Sequence, residues 1–417
     1  MSRSKLEKTC NKKISFTSIL LYCTFFAGGV FFLNAIIPSY LNGFPVPGKL
    51  NFDLSLLIDN PRSSTLLQHR LATPEFARRP VVYLLQLQLQ KWSMTPAASF
   101  LLIQALGFIA FVSLLVKEMR PSTKGEALLF VACLSLVFSN LFAFAASICT
   151  YDDFLQYTFV VLAMKMFWNK RVLASAGFIF VACVCRESTL LLIPFLIYLT
   201  YFQQRRRFYD TLVWVLPAIL YFTFLHFWLD SDLTHKTYSQ LGGTRFSYLG
   251  KNILAIRETS VAVLLVIAIP VLFVVMKFRR NKKQSENHLA VAFLFTLGLT
   301  IFICFISTIA REARYYFLPL IPIFPWIRDE IIKGVEQIKI RLSLVYLRSW
   351  GVSVIMAFVI SYCWYSPNLG GTGVLFRLYA MLYFTFFFYL VGIYSSDSVD
   401  PDGIGLGSLT EMEVDAH

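Results

Sequence analysis

Three groups of ionisable residues interrupt long apolar stretches of the chain: Asp152-Asp153, Arg186-Glu187, and Arg311-Glu312 followed by Arg314 and Tyr315. Two arginines about one helical turn apart, as Arg311 and Arg314 are, can grip a phosphate or diphosphate through forked hydrogen bonds, where Lys would offer only a point charge. Arg186 is a further guanidinium for that role, with Glu312 and Tyr315 beside the clamp. A nearby carboxylate can take the proton of an acceptor hydroxyl as general base. The acidic candidates are Asp152, Asp153, Glu187 and Glu312, with Asp53 or Asp59 from an earlier polar segment. Simpler roles stand beside these. Thr150 and Asp153 have the T-x-x-D spacing that caps a helix, and Arg186 with Glu187 would also suit snorkelling or pairing between helices. Asp230, Asp232 and His235 offer hard oxygens and an imidazole to Mg2+ or Mn2+, although their spacing matches no known metal loop. A divalent metal is thus the one cofactor the residues leave open.

Such groups need elements to carry them, and the composition dictates which. With 57% hydrophobic and 15% charged residues, and a mean hydropathy of +0.63, the 417-residue chain has more apolar surface than one water-soluble core can hide. The excess belongs in lipid. Phe supplies 41 residues in runs without heptad spacing, which suits lipid-facing helices and not a coiled coil. The net charge of +14 falls in short clusters between apolar runs and forms no basic face, so it reads as membrane topology and not as a nucleic-acid surface.

A spanning helix needs about 20 apolar residues, or about 17 where the membrane thins. On that measure the expected fold is all-α, a polytopic transmembrane bundle of roughly twelve spans. Eight are plain: Ile14 to Ile37, Ala97 to Val116, Ala127 to Ile148, Leu212 to Leu229, Ser260 to Met276, Leu289 to Ile309, Val352 to Tyr365 and Val374 to Tyr394. Between Arg171 and Arg205 the run is too long for one helix, and Arg186-Glu187 divides it into two short ones. Phe154 to Phe167 is another short span, with Lys165 near enough to its inner end to snorkel. Tyr315 to Ile327 contains Pro319, Pro322 and Pro325, which should break it.

Alternate threading then places Lys12-Lys13, Lys117 to Lys124, Lys170-Arg171, Arg205 to Arg207, Lys277 to Lys283 and Arg328 to Arg341 on one side, as the positive-inside rule requires. Both termini face the cytoplasm in this scheme. Residues 1–395 form one transmembrane domain, and 396–417, Gly- and Asp-rich without Lys or Arg, form a disordered cytoplasmic tail. Two outer segments are long, 38–96 and 230–259; the first should hold interfacial helices. Within it Leu85 to Gln90 reads L-Q-L-Q-L-Q, a strand period, but no partner strand is near and a helix is preferred. The three charged groups all fall on the outer side.

Eight cysteines supply no disulfide framework, since six lie inside apolar runs, and the Cys183-x-Cys185 pair has no second pair at zinc spacing. Lys5, Lys8, Lys12 and Lys13 precede an apolar stretch too long for a signal peptide, which is kept as the first helix. G-x-G-x-x-G, Walker, H-E-x-x-H and G-x-S-x-G motifs are missing, which disfavours a soluble nucleotide-sugar domain.

Asp152-Asp153 at an outer helix start, C-R-E-S-T-L-L-L-I-P from Cys185 to Pro194, and R-E-A-R-Y-Y-F-L-P-L-I-P from Arg311 to Pro322 together resemble bacterial polytopic glycosyltransferases of the GT-C type. The resemblance runs from about Tyr151 to Pro325. It implies a multi-helix membrane fold in the bacterial inner membrane, a polyprenyl-phosphate-linked sugar as donor, and transfer to a glycan, lipid or protein acceptor on the outer face. In that family a carboxylate of the first long outer loop is catalytic. Here Asp53 and Asp59 are available there, but no acidic pair follows the first helix, and the base stays open among the carboxylates above. A surface-polysaccharide polymerase or ligase would use the same clamp; a lipid-linked glycan transporter or flippase would use the same cavity without making a bond.

Overall fold

The computed structural model describes residues 14–36, 79–138, 153–203, 208–228, 247–280, 284–307, 313–341, 347–365 and 373–396. Among these the regular structure is entirely helical, with no strand. The helices are α1 (Phe16–Ile36), α2 (Pro80–Gln90), α3 (Pro96–Met119), α4 (Lys124–Phe138), α5 (Asp153–Trp168), α6 (Val172–Cys185), α7 (Ile193–Tyr198), α8 (Leu216–Trp228), α9 (Ser247–Leu254), α10 (Ile256–Arg280), α11 (Gln284–Ser307), α12 (Phe324–Arg341), α13 (Leu347–Phe358) and α14 (Gly373–Ser396). Among the described residues, four stretches are long and apolar enough to cross a membrane: Leu102–Met119, Ile256–Arg280, Asn287–Ser307 and Arg377–Tyr394. Shorter apolar helices accompany them at Phe16–Val30, Val172–Cys185, Glu187–Phe202, Leu212–Trp228 and Trp350–Trp364. The chain is therefore a helical membrane protein.

The helices pack through aromatic and small residues, as they must where lipid tails are as apolar as Leu. Phe111, Phe138, Tyr157, Phe317 and Phe324 stack mostly edge to face at the centre of the main core. Gly107 brings α3 close to α5: a Cβ there would stand 3.2 Å from Cβ of Phe154, and Thr158 of α5 donates to the Gly107 carbonyl at 3.3 Å. A smaller core joins the first half of α10 (Val261, Leu265) to α13 and α14 (Ala357, Ala380, Phe384).

The divided run at Arg186-Glu187 breaks as its charges demand. Helix α6 ends at Cys185, Arg186 is extended (φ −163°, ψ 127°), and a 3-10 turn over Glu187–Leu192 leads into α7, which carries Pro194 in its first turn. Leu85 to Gln90 is helical, within α2. The Pro-rich segment departs from the expected short span. Two 3-10 turns, Ala313–Tyr316 and Leu318–Leu320, precede α12, which begins at Phe324 and runs on through the basic stretch to Arg341. Pro325 opens this helix instead of breaking it, because the first turn needs no amide donor. Likewise α10 begins at Ile256, ahead of the expected Ser260.

The basic end of the bundle is tied by ion pairs. Arg280 of α10 donates to buried Glu330 of α12 at 2.7 Å, Arg328 reaches Glu126 of α4 at 3.4 Å, and Lys165 of α5 pairs with Glu118 of α3 at 3.2 Å. Lys165 thus finds a partner within the bundle in the last turn of α5. None of the described cysteines is disulfide-bonded. The tail 396–417 lies outside the described residues apart from Ser396, as do residues 38–78 of the first outer segment.

Candidate functional site

The site is built on the hairpin of α5 and α6. Its turn closes with Lys170 in the left-handed region (φ 61°), the Lys170 amide donating to Phe167 and the Arg171 amide to Met166, each at 2.9 Å. That pair of bonds is the Schellman arrangement, which satisfies the last carbonyls of α5. Because the two helices run antiparallel, the first residue of α5, Asp153, and the residue after α6, Arg186, come to the same end. There they form an ion pair that is almost wholly sealed, with Asp153 2% and Arg186 1% exposed. Asp153 also sits in the first turn of its helix, where the backbone dipole favours an anion.

Gln156, one turn along α5, holds the next residues of the turn. Its Nε2 donates to Thr189 Oγ1 at 2.7 Å and to Ser188 Oγ at 2.9 Å, and Thr189 Oγ1 donates to the Arg186 carbonyl at 2.9 Å. One face of α5 therefore grips both the side chain of Arg186 and the backbone that carries it. The ring of Tyr315, from the first 3-10 turn of the Pro-rich segment, lies 5.3 Å from the Arg186 guanidinium, within cation–π range. The three charged groups singled out by spacing are thus represented at one place by Asp153, Arg186-Glu187 and Tyr315.

Glu187 points away from the sealed pair and meets Arg79. Arg79 Nε donates to one carboxylate oxygen at 2.9 Å and Nη2 to the other at 2.7 Å, a two-pronged contact. The side chains are 12% and 31% exposed, so this pair, unlike Asp153–Arg186, is open to a ligand. Arg79 was not singled out in the sequence, where it stands in Arg78-Arg79-Pro80 after a turn around Pro74. The signal lay in its place: a guanidinium at the start of a helix opposes the dipole there and calls for an anion. Glu258 was also missed. It is 5% exposed in the first turn of α10, at the opposite end of that helix from Arg280.

Asp53, Asp59, Asp152, Arg311, Glu312, Asp230, Asp232 and His235, as well as Thr150, lie outside the described residues; of Arg314 only the backbone, in the turn Ala313–Tyr316, is described. Among the described residues no group of three or more His, Cys, Asp or Glu side chains gathers to hold a metal ion. In chemical terms the site offers a sealed acid–guanidinium pair, a partly exposed one and an aromatic face. No protein-family model, curated protein or solved structure matches this chain.

Proposed function

We propose that the protein is a GT-C-like membrane glycosyltransferase, which moves a sugar from a polyprenyl-phosphate carrier to an acceptor on the outer face of a bacterial inner membrane. In this reading the bundle has about twelve spans including the short and broken ones, and both termini are cytoplasmic. The single observation that carries it is the meeting of Asp153, Arg186, Glu187, Arg79 and Tyr315 at the end of a short hairpin, away from the basic turn.

Length makes that meeting informative. Helix α5 has 16 residues, hence about 24 Å at 1.5 Å per residue, whereas the hydrocarbon layer is about 30 Å thick. With Lys170-Arg171 at the inner interface, the ion pairs come to lie about 6 Å below the outer one. Charges at that depth persist where they line a polar recess, and short or broken helices are how such recesses form. The recess would admit a lipid phosphate from the side and an acceptor from the aqueous face.

In the proposed division of work, Arg311 and Arg314 grip the phosphate and Arg79 completes the cationic wall. Glu187, gripped by Arg79, is the partly exposed carboxylate described at this site and the candidate for an acceptor hydroxyl, with Asp152, Asp53, Asp59 and Glu312 as the remaining candidates. Asp153 and Arg186 hold the turn in place. Reconstituted protein supplied with a polyprenyl phosphoryl hexose should transfer the sugar, and Arg311→Ala or Arg314→Ala should abolish transfer while leaving membrane insertion intact. Full activity in both variants overturns the reading, and movement of the intact donor across the bilayer with no bond made would replace it with a flippase.

A further inference from the structure

On α2, Leu84 and Leu85 are 48% and 43% exposed, while Gln86 is 1% exposed on the face that carries Val82. Val82 packs with Ile103 of α3 and Leu89 packs against that pair, so Gln86 is a buried amide within an apolar seam. On α3 the residue after Ile103, Gln104, is 1% exposed, and its Oε1 has no hydrogen-bond partner.

The connection Lys91–Thr95 folds α2 and α3 into an antiparallel hairpin. With Val82 against Ile103, the next residue of α3, Gln104, lies toward the end of the hairpin at which Arg79 holds Glu187. A buried amide oxygen without a donor is costly in an empty protein and is resolved by a ligand that brings one. Amide, carboxylate and guanidinium toward one end of the bundle supply both acceptors and donors, which the hydroxyls of a sugar can meet.

We infer that Gln104, together with the Arg79–Glu187 pair, forms a carbohydrate subsite in which the Gln104 amide oxygen accepts a sugar hydroxyl. This deepens the glycosyl-transfer reading and rests on it for its ligand class. Gln104 is then a specificity-determining residue, not a structural one, and stability separates the two roles. A structural glutamine would lose stability on becoming apolar. Here Gln104→Leu and Gln104→Met should raise the thermal midpoint, because each removes an orphan amide.

The test uses full-length protein in lipid nanodiscs, with methyl glycosides of glucose, galactose and mannose and their monodeoxy analogues as probes, and saturation-transfer NMR as readout. Wild type should bind at least one glycoside, and both Gln104 variants should bind it more weakly by about tenfold or more. One deoxy analogue should bind wild type weakly yet lose nothing further in Gln104→Leu, which identifies the hydroxyl. Displacement of the glycoside by citronellyl phosphoryl hexose assigns the subsite to the donor sugar, and simultaneous binding assigns it to the acceptor. Equal binding by wild type and both variants overturns the subsite, as does binding of no glycoside by wild type. Those results leave the phosphate clamp untouched, since transfer by Arg311→Ala and Arg314→Ala is scored separately; Gln104-dependent binding without any transfer would instead sink the enzyme reading and keep the subsite.

Discussion

Two ion pairs stand side by side here and do different work because one is sealed and the other is not. Asp153 and Arg186 have lost their water, so removing either leaves the other as an unpaired buried charge. Replacing one alone, as in Asp153→Leu or Arg186→Met, should cost about 3–5 kcal/mol of stability, while the double variant should recover most of it, since an apolar pair of similar volume removes both charges. Thermal unfolding of the four proteins in a mutant cycle checks this; additive losses would show that the pair is not a unit. Arg79→Ala should behave otherwise. Its partner Glu187 is 31% exposed and not sealed, so stability should fall by less than for the sealed pair, and the proposed transfer activity should be lost.

At the scale of elements, the site depends on how closely α3 approaches α5 and on how tightly α5 turns into α6. Gly107→Ala places a methyl 3.2 Å from Phe154 Cβ, one residue from Asp153, and should cost about 1–3 kcal/mol by overpacking. Gly107→Leu should push α3 off α5 and prevent assembly, seen as aggregation on detergent extraction. The turn should respond in the opposite sense. Lys170 sits at positive φ, where an L-residue is strained by about 1–2 kcal/mol, so Lys170→Gly should raise stability, with Arg171 retained as the basic anchor. A thermal midpoint that falls instead would show that the Lys170 side chain matters more than its backbone.

For the molecule as a whole, the two ends differ in charge and in purpose. One end is closed by Arg280–Glu330, Arg328–Glu126 and Lys165–Glu118; the other carries the sealed and open pairs with Tyr315. If the first end is cytoplasmic, alkaline phosphatase fused at residue 240 should be active and a fluorescent protein fused at residue 282 should fold and fluoresce. The reverse pattern would invert the topology and remove the outer-face site. Cysteine labelling of Glu187→Cys by an impermeant reagent from outside gives an independent check.

The amino-acid sequence by itself determined that this is an all-helical membrane protein, because only helices satisfy their own backbone in lipid and the apolar runs exceed any soluble core. It also determined where the helices break, at Arg186-Glu187 and around Pro319 and Pro322, because charge and missing amide donors act locally. Spacing marked Asp153, Arg186, Glu187 and Tyr315 for the same reason: ionisable groups are conspicuous against an apolar background. Which of them touch was decided only by the tertiary structure. That Arg186 takes Asp153 while Glu187 takes Arg79, 108 residues away, depends on the antiparallel hairpin and on α2 docking across it. Burial, which divides the supporting pair from the reachable one and leaves Gln104 without a donor, is a property of the packed surroundings, and no local pattern encodes it.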